Sequence, residues 1–262
     1  LDPIKELEKI GFTISYVKPD HYGRVLADRI SEAITGDTIL VSIMLANNEL
    51  GTINPIDKIA DVCQSKNVIF HCDATQGMGK LPIDVRKSPI DMLSFTGHKI
   101  YGPKGVGGLY IRKKMPKIKV QPLVDGGGQE GGIRSGTLNV PGIVGLAAAC
   151  ALAEKVMMEE SKRLSLLSAI MIKKLSVING ISSNNHPAER LAGTLNFTID
   201  SVNAELLLSR VSDIVALSSG SACSSSKIEP SHVLKGIGLT DTMAKSTIRV
   251  SIGRFKRSAF VH

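Results

Sequence analysis

The amino-acid sequence predicts an α/β fold in which helices flank a mostly parallel β-sheet, followed by a smaller α/β unit. Two observations support this prediction. In the first half of the 262 residues, segments with apolar residues at helical spacing alternate with short apolar segments typical of buried strands. After residue 190, apolar and polar residues alternate, which indicates a sheet with one covered face.

The elements of the first half follow from their periodicity. Helical spacing predicts helices at residues 26–34 and 56–63. Apolar segments predict buried strands at 39–45, 68–72, 92–95 and 107–111. Strands separated by helices form mostly parallel sheets, and such sheets bind ligands at the carboxyl ends of their strands. We therefore expect a site formed by the residues that follow Leu45, Cys72 and Phe95.

The elements of the second half follow a long loop. Residues 121–142 are rich in glycine and proline, and Pro141 lies where a helix is expected to begin. A long helix, with a bend, is predicted from about 143 to 178. Alternation predicts a strand over 191–199. The remaining predicted elements are a helix at 204–211 and strands at 214–217 and 247–252.

The boundary between two units is expected within the long helix. Residues 1–157 form the larger unit and residues 158–262 the smaller one. Serine, glycine and alanine dominate the segment at about 218–230, which predicts a mobile surface loop in the smaller unit.

The composition is that of a globular protein, with 43% hydrophobic and 21% charged residues. No apolar run is expected to span a bilayer, which takes about 20 residues, so no membrane association is predicted. The net charge is +8, but the clustered lysines at 113–119 are not interleaved with aromatic residues. Direct binding of nucleic acid is therefore not expected.

The four cysteines, Cys63, Cys72, Cys150 and Cys223, have neither metal-site spacing nor the pattern of a disulfide framework. We predict no resident metal and a reducing compartment. Cys63 and Cys150 lie in apolar helical segments and are interpreted as inert core thiols.

Polar residues cluster where the predicted strands end. Lys99 follows one strand and can form a Schiff base with an aldehyde cofactor. Asp73 ends an earlier strand, and a carboxylate beside a pyridinium nitrogen keeps that nitrogen protonated. Taken singly, a lysine is usually a solvated surface group and an aspartate usually caps a helix. Their coincidence at successive strand ends favours a pyridoxal site.

Neighbouring residues supply the other groups that such a ligand needs. Asn48 and Gln76 can hydrogen-bond the phenolic oxygen of the ring, and Thr96 and His98 can hold phosphate oxygens. The glycine-rich segment 131–137, which ends in Thr137, offers backbone amides and a hydroxyl for a phosphate. The alternative for His98 is a loop histidine satisfied by the backbone.

Two further residues are candidates for catalysis. Cys223 lies in the small, polar loop, from which a thiolate could reach into a pocket and out again. The alternative is an incidental surface thiol. Arg249 alternates with apolar neighbours on a predicted strand, and its planar guanidinium suits a carboxylate. The alternative is a surface salt bridge.

In the segments that carry these candidate residues, the chain resembles the cysteine desulfurases of the NifS/IscS group, which belong to the class-V pyridoxal-phosphate-dependent aminotransferases. The matching segments occur in the family's order over nearly the whole chain, and their combination is specific although no single one is. They are residues 46–49, 73–76, 94–105, 126–137, 218–223, 229–231 and 249–254.

The resemblance implies a fold-type-I transferase with pyridoxal 5'-phosphate bound through Lys99. It assigns Asp73 to the pyridine nitrogen, Asn48 and Gln76 to the ring hydroxyl, Thr96 and His98 to the phosphate, and Thr137 to the phosphate of the neighbouring subunit in a homodimer. It also assigns Arg249 to the cysteine carboxylate and Cys223 to the acceptance of sulfur as a persulfide.

The implied reaction converts L-cysteine to L-alanine and passes the sulfur to an iron–sulfur scaffold protein or another acceptor, in the cytoplasm or alternatively the mitochondrial matrix. The Cys223 persulfide would ligate a metal only transiently, in a shared iron–sulfur cluster. Alternatives are a selenocysteine lyase, another class-V enzyme, or an inactive fragment that only binds partners. The inactive fragment is an alternative because two parts of the family's sequence are not matched here. They are the N-terminal part, with a ring-stacking histidine and a phosphate-binding turn, and the C-terminal end. His21 lies outside the matching motif.

Overall fold

The computed structural model of the protein describes residues 2–219 and 230–255. A four-stranded sheet precedes the long helix α4 (Val140–Leu175) in the chain, and a second four-stranded sheet follows it. Helices α1 (Asp2–Lys9), α2 (Ala27–Ala33) and α3 (Ile56–Ser65) belong to the first part.

The first sheet has the order β1-β2-β3-β4. Its strands are β1 (Leu40–Met44), β2 (Ile69–Asp73), β3 (Met92–Thr96) and β4 (Gly107–Ile111). β1 pairs with β2 and β2 with β3 in parallel, whereas β4 runs antiparallel to β3. The predicted mostly parallel sheet is confirmed, and the three parallel strands end at the same edge.

The predicted helical stripe of α3 is buried. Ile59, Ala60 and Cys63 are each 0% exposed and belong to the same core cluster as Phe70 and Cys72 of β2. Burial raises the pKa of the Cys63 thiol to about 11 and that of Cys72 to about 12. Both thiols are therefore protonated at neutral pH, as expected for an inert core cysteine such as Cys63.

Apolar side chains are exposed at both edges of the first sheet. Leu40 of β1 is 47% exposed and Leu109 of β4 is 46% exposed. Within the described residues, neither edge strand has a further strand beside it. The backbone groups of both edge strands are therefore available for pairing with another strand.

The second sheet is antiparallel, with the order β5-β6-β8-β7. Its strands are β5 (Ile181–Ser183), β6 (Thr194–Ile199), β7 (Ser218–Ser219) and β8 (Thr247–Ser251). The helices of this part are α5 (Ala204–Val211), α6 (His232–Gly236) and α7 (Asp241–Lys245).

Two predictions for the second sheet are wrong. The strand predicted at 214–217 does not form, because the backbone amides of Ile214 and Val215 bond to the carbonyl of Val211 and continue the turn after α5. The alternating strand β6 is covered on both faces: its polar residues Asn196 and Thr198 are 0% and 1% exposed. The side chain of Asn184 satisfies both, at 2.7 and 2.9 Å.

Helix α4 is long and apolar enough to cross a membrane by length and composition alone, with an 18-residue window of mean hydropathy 1.6. The expectation that no segment meets this criterion is therefore wrong. One such helix is weak evidence for a membrane span, since helices packed on a sheet meet the same criterion. Here Leu146 and Ala149 of α4 pack against Ile100, in the turn that follows β3.

Candidate active site

A cavity of about 280 Å³ lies between the carboxyl ends of the parallel strands and strand β8 of the second sheet. Five of the candidate residues identified from the sequence line it, and they come from both halves of the chain: Asn48, Gln76, His98, Lys99 and Arg249.

Lys99 reaches the cavity from a short 3-10 turn, Gly97–Ile100, that directly follows β3. The turn is held closely: the Gly97 amide bonds to the carbonyl of Val106, and a Cβ on Gly97 would lie 2.9 Å from the Pro103 carbonyl oxygen. Ile100 is 2% exposed and packs on α4. The backbone that carries the Lys99 amine is therefore fixed on both sides.

Thr96 and His98 form a pair at the start of this turn. The Thr96 hydroxyl lies 2.9 Å from His98 Nδ1 and also donates to the carbonyl of Val106 at 3.3 Å. The His98 ring is thus bonded to a side chain and not to the backbone, unlike in the alternative interpretation. A hydroxyl and an exposed imidazole next to Lys99 provide donors for an anion.

Asp73 lies at the end of β2, opposite Met44 of β1 and Ser94 of β3 in the strand register. Its Oδ1 accepts from the Thr75 amide at 2.9 Å, so Asp73 orders the turn that leads to Gln76. Asp73 is not among the residues that line the cavity. The structure therefore places it behind the cavity, next to the turn that brings Gln76 into the lining.

Arg249 makes no ion pair with any residue in the described parts of the chain, which argues against a surface salt bridge. Its Nη1 donates to the carbonyl of Asn48 at 2.9 Å, across the two sheets. Its Nε is buried and has no hydrogen-bond partner among the described residues. A partly exposed guanidinium at the cavity wall, with a donor that lacks a partner, is suited to bind a carboxylate.

Two further candidate residues do not line the cavity: Thr96, whose partner His98 does line it, and Thr137, which is exposed. Cys223 lies outside the described residues.

The lining of the cavity favours an anionic ligand. Among the described residues that line it, Glu160 of α4 is the one carboxylate, and it pairs with Arg254 at 2.9 Å. The Glu160 side chain is 14% exposed and the Arg254 side chain is 15% exposed. The positive charges of Lys80, Lys99 and Arg249 are left without a carboxylate partner in the cavity.

A second, larger cleft, about 1180 Å³, lies between α3, α4 and the segment that precedes β3. Its lining is mainly apolar, and its charged residues, such as Asp57, Lys58 and Glu154, are not held around a reactive group. The smaller cavity, with its amine and guanidinium, is the better candidate for chemistry.

The family model for class-V aminotransferases matches residues 1–261. The chain belongs to the class-V aminotransferase family. Curated relatives include cysteine desulfurase IscS from Shewanella baltica (strain OS223), 46% identical over 255 residues, and that from Shewanella sp. (strain ANA-3), 45% identical over the same length. These alignments cover 97% of this chain and 63% of each relative.

Solved structures give the same result for the fold. A NifS-like protein is 34% identical, with a TM-score of 0.90, and the match covers 99% of this chain and 68% of that one. DndA from Streptomyces lividans is 33% identical, with a TM-score of 0.82, covering 95% and 70%. SspA, determined in complex with cysteine, is 36% identical, with a TM-score of 0.78, covering 96% and 69%. The fold is the fold-type-I arrangement that the sequence predicted.

Several residues of this class-V aminotransferase chain lie at or near the site but were not proposed from the sequence, and three of them lie close in sequence to candidate residues. Lys80 and Tyr101 line the cavity. His71, two residues before Asp73 on β2, lies between the Ser42 and Ser94 hydroxyls at 2.8 and 3.1 Å. Desolvation lowers the pKa of His71, against the opposing effect of Asp73. The sequence signal that could have identified these three residues is their position, since each lies within four residues of a candidate residue.

Proposed function

We propose that this chain is the cofactor-binding part of a cysteine desulfurase, which uses pyridoxal 5'-phosphate to convert L-cysteine to L-alanine. The observation that carries the proposal is the presence in one cavity of the Lys99 amine and of the Arg249 guanidinium, which makes no ion pair with the described residues and whose Nε has no hydrogen-bond partner among them. The names of the curated relatives support it. Because the chain spans 63% of their length, the activity is proposed for the whole protein.

The residues present fit the proposed cofactor. Lys99 would hold its aldehyde carbon, and the Thr96–His98 pair offers donors to a phosphate. Asn48 and Gln76, which line the same cavity, would bond the ring hydroxyl. Asp73, behind the cavity, would keep the pyridine nitrogen protonated. When bound, the cofactor supplies the electron sink for cleavage at the substrate's carbons.

The chain's own residues would perform the remaining tasks. Arg249 binds the carboxylate of L-cysteine, and the Lys99 amine takes the α-proton and returns a proton to the product. The Cys223 thiolate attacks the substrate sulfur, so that a sulfur–sulfur bond forms as the carbon–sulfur bond breaks. L-cysteine and the Cys223 thiol thus give L-alanine and a Cys223 persulfide, which balances in atoms and electrons.

The persulfide would be passed to an iron–sulfur scaffold protein or another thiol acceptor, by attack of that thiol on the outer sulfur. We further propose a homodimer, in which Thr137 reaches the phosphate of the neighbouring subunit, and a unit boundary near residue 157 within α4. The exposed position of Thr137 is compatible with such a contact. Free thiols at Cys63, Cys72 and Cys150 support a reducing compartment, which we take to be the cytoplasm.

The first test is cofactor binding. We expect the chain with added pyridoxal phosphate to show Schiff-base absorbance, and Lys99→Ala to abolish it. Lys104→Ala, an exposed lysine five residues away, is the matched control and should keep it. Equal absorbance in the Lys99→Ala variant would contradict the role of Lys99.

The second test is product analysis on the full-length protein. Cys223→Ala should retain the absorbance and lose persulfide formation, with alanine as the product of the unaltered enzyme. A keto acid product would instead favour an aminotransferase, and preference for selenocysteine would favour a lyase for that amino acid.

A further inference from the structure

Lys80 is held at the edge of the Lys99 cavity by a closely packed turn. The amides of Lys80 and Leu81 both bond to the carbonyl of Gly77. Gly79, at a φ of +68°, lies so close to the next layer that a Cβ there would be 2.9 Å from Ile100 and 3.0 Å from Ala153 of α4. The turn therefore cannot shift without displacing the segment that carries Lys99.

Lys80 as a whole residue is exposed to solvent, but its Nζ lies at the cavity among the other charged groups, 3.5 Å from Gln76 Oε1. That distance is at the limit of a hydrogen bond. The charged and titratable groups that face the same cavity are His98, Lys99, Tyr101, Glu160, Arg249 and Arg254.

These neighbours leave Lys80 without a carboxylate of its own. Glu160 attracts it but is paired with Arg254 at 2.9 Å. Desolvation, followed by repulsion from Lys99, lowers the pKa of Lys80 to about 8, and Arg249 contributes to the same shift. Three positive groups thus repel one another around a cavity, and an anion placed among them would relieve that repulsion.

We propose that Lys80 is a second ligand-binding cation of this site and that it holds, together with Arg249, the carboxylate of an amino-acid ligand. The inference rests on the proposed function and adds a residue to its substrate site. A carboxylate is favoured over a phosphate because Lys80 lines the same cavity as Arg249 and is repelled by it, and the Nε of Arg249 lacks a partner among the described residues. The nominated phosphate residues, Thr96 and His98, form a separate pair.

The proposal has a pH dependence of known sign. A bound carboxylate stabilises the charged form of Lys80 and raises its pKa above the value of about 8 in the free site. Binding is therefore strongest below pH 8, where Lys80 is already protonated, and weakens as the pH rises through that value. Arg249 contacts the same carboxylate and retains part of the affinity.

The test compares L-alanine with ethylamine, the same amine without the carboxylate, as ligands of the chain loaded with pyridoxal phosphate. Lys80→Met should weaken L-alanine binding about ten- to hundredfold and leave ethylamine binding unchanged. Lys80→Arg should restore the affinity and abolish its loss above pH 8. Lys58→Met, an exposed lysine of α3, is the control and should behave as the unaltered chain.

A second measurement is made on the chain both without and with the cofactor. Competitive acetylation of the lysines, read by mass spectrometry, gives the pKa of Lys80 in the cofactor-free and the loaded chain. L-alanine should slow acetylation of Lys80 in the loaded chain, and ethylamine should not. Failure of the unaltered chain to bind pyridoxal phosphate would contradict the proposed function. The pKa of Lys80 and the effect of L-alanine on its acetylation can still be measured in the cofactor-free chain, so the two failures are distinguishable.

The carboxylate role is overturned if L-alanine leaves the acetylation of Lys80 unchanged both with and without pyridoxal phosphate. It is also overturned if Lys80→Met weakens binding of pyridoxal phosphate relative to pyridoxal but leaves L-alanine unaffected, because Lys80 would then bind the phosphate.

Discussion

The backbone amide of Arg254 donates to the phenolic oxygen of Tyr101 at 2.7 Å. This bond joins the end of the second sheet to the turn that carries Lys99. The Arg254 guanidinium also lies 4.5 Å from the centre of the Tyr101 ring and pairs with Glu160 of α4 at 2.9 Å. Three segments that are distant in sequence therefore meet beside the cavity, and their contact links the turn that carries Lys99 to the segment that follows β8.

Removing the Tyr101 hydroxyl tests this contact. Tyr101→Phe keeps the ring and its interaction with Arg254 but removes the acceptor, which should lower the free energy of unfolding by about 1 kcal/mol. Because the hydroxyl positions the two sides of the cavity, L-alanine affinity should fall severalfold while the Schiff-base absorbance remains. Tyr16→Phe, whose hydroxyl makes a marginal 3.5 Å contact with Glu8, is the matched control. Unchanged L-alanine affinity would contradict a positioning role.

Arg249→Lys tests the carboxylate site directly. A lysine keeps the positive charge but loses the planar fork that reaches both the Asn48 carbonyl and a ligand. We expect L-alanine binding to weaken by about 1.5–3 kcal/mol with cofactor absorbance retained. Spectrophotometric titration measures both quantities. Arg210→Lys, on the exposed end of α5, should have no effect.

Glu49 makes the stability of the fold depend on pH. It is 5% exposed, and burial raises its pKa, against the opposing effects of the Ser231 hydroxyl and Arg249. Because the pKa of Glu49 is raised in the folded state, its contribution to the free energy of unfolding is fully present below the pKa of the unfolded chain. This contribution is lost as the pH rises through the pKa of the folded state. The loss amounts to about 1.4 kcal/mol for each unit by which the pKa is raised.

In the unaltered chain the Ser231 hydroxyl donates to the Glu49 carboxyl at 2.6 Å. Glu49→Gln should remove the pH dependence of stability, because the amide stays neutral and can still accept this hydrogen bond. Relative to the unaltered chain, the variant should gain stability as the pH rises from about 4 to 7. Urea unfolding at several pH values measures this. Glu205→Gln, an exposed residue in the first turn of α5, is the control. A difference that does not change with pH would show that Glu49 is not buried as a charge.

The core of the second sheet depends on Phe197 of β6. It is 2% exposed and packs in one cluster with Leu167 of α4 and Ile248 of β8. Phe197→Ala should destabilise the fold by about 3–5 kcal/mol. Phe12→Ala, at a position that is 46% exposed, should cost much less. Similar unfolding midpoints for the two variants would show that the second sheet does not unfold with the rest.

Local periodicity was enough to locate most elements and the nominated residues. The stripe of α3 and the strands that lead to Asp73 and Lys99 repeat every 3.6 or 2 residues, so a short window of sequence contains the whole signal. The predicted strand at 214–217 failed for the same reason: its apolar residues resemble a buried strand, but Ile214 is 86% exposed and is not covered by any residue that the structure describes. A window cannot show whether a covering layer exists.

The sequence by itself therefore determined the fold class, the strand ends and the chemistry of the residues placed there, because each depends on neighbours along the chain. The tertiary structure decided which of them meet: Arg249 against the Asn48 carbonyl, 201 residues away, and Lys80 beside Lys99. It also decided that Asn196 and Thr198 are buried, since Asn184 supplies their hydrogen bonds. Such pairings depend on strand register and on the packing of separate layers, which no local pattern specifies.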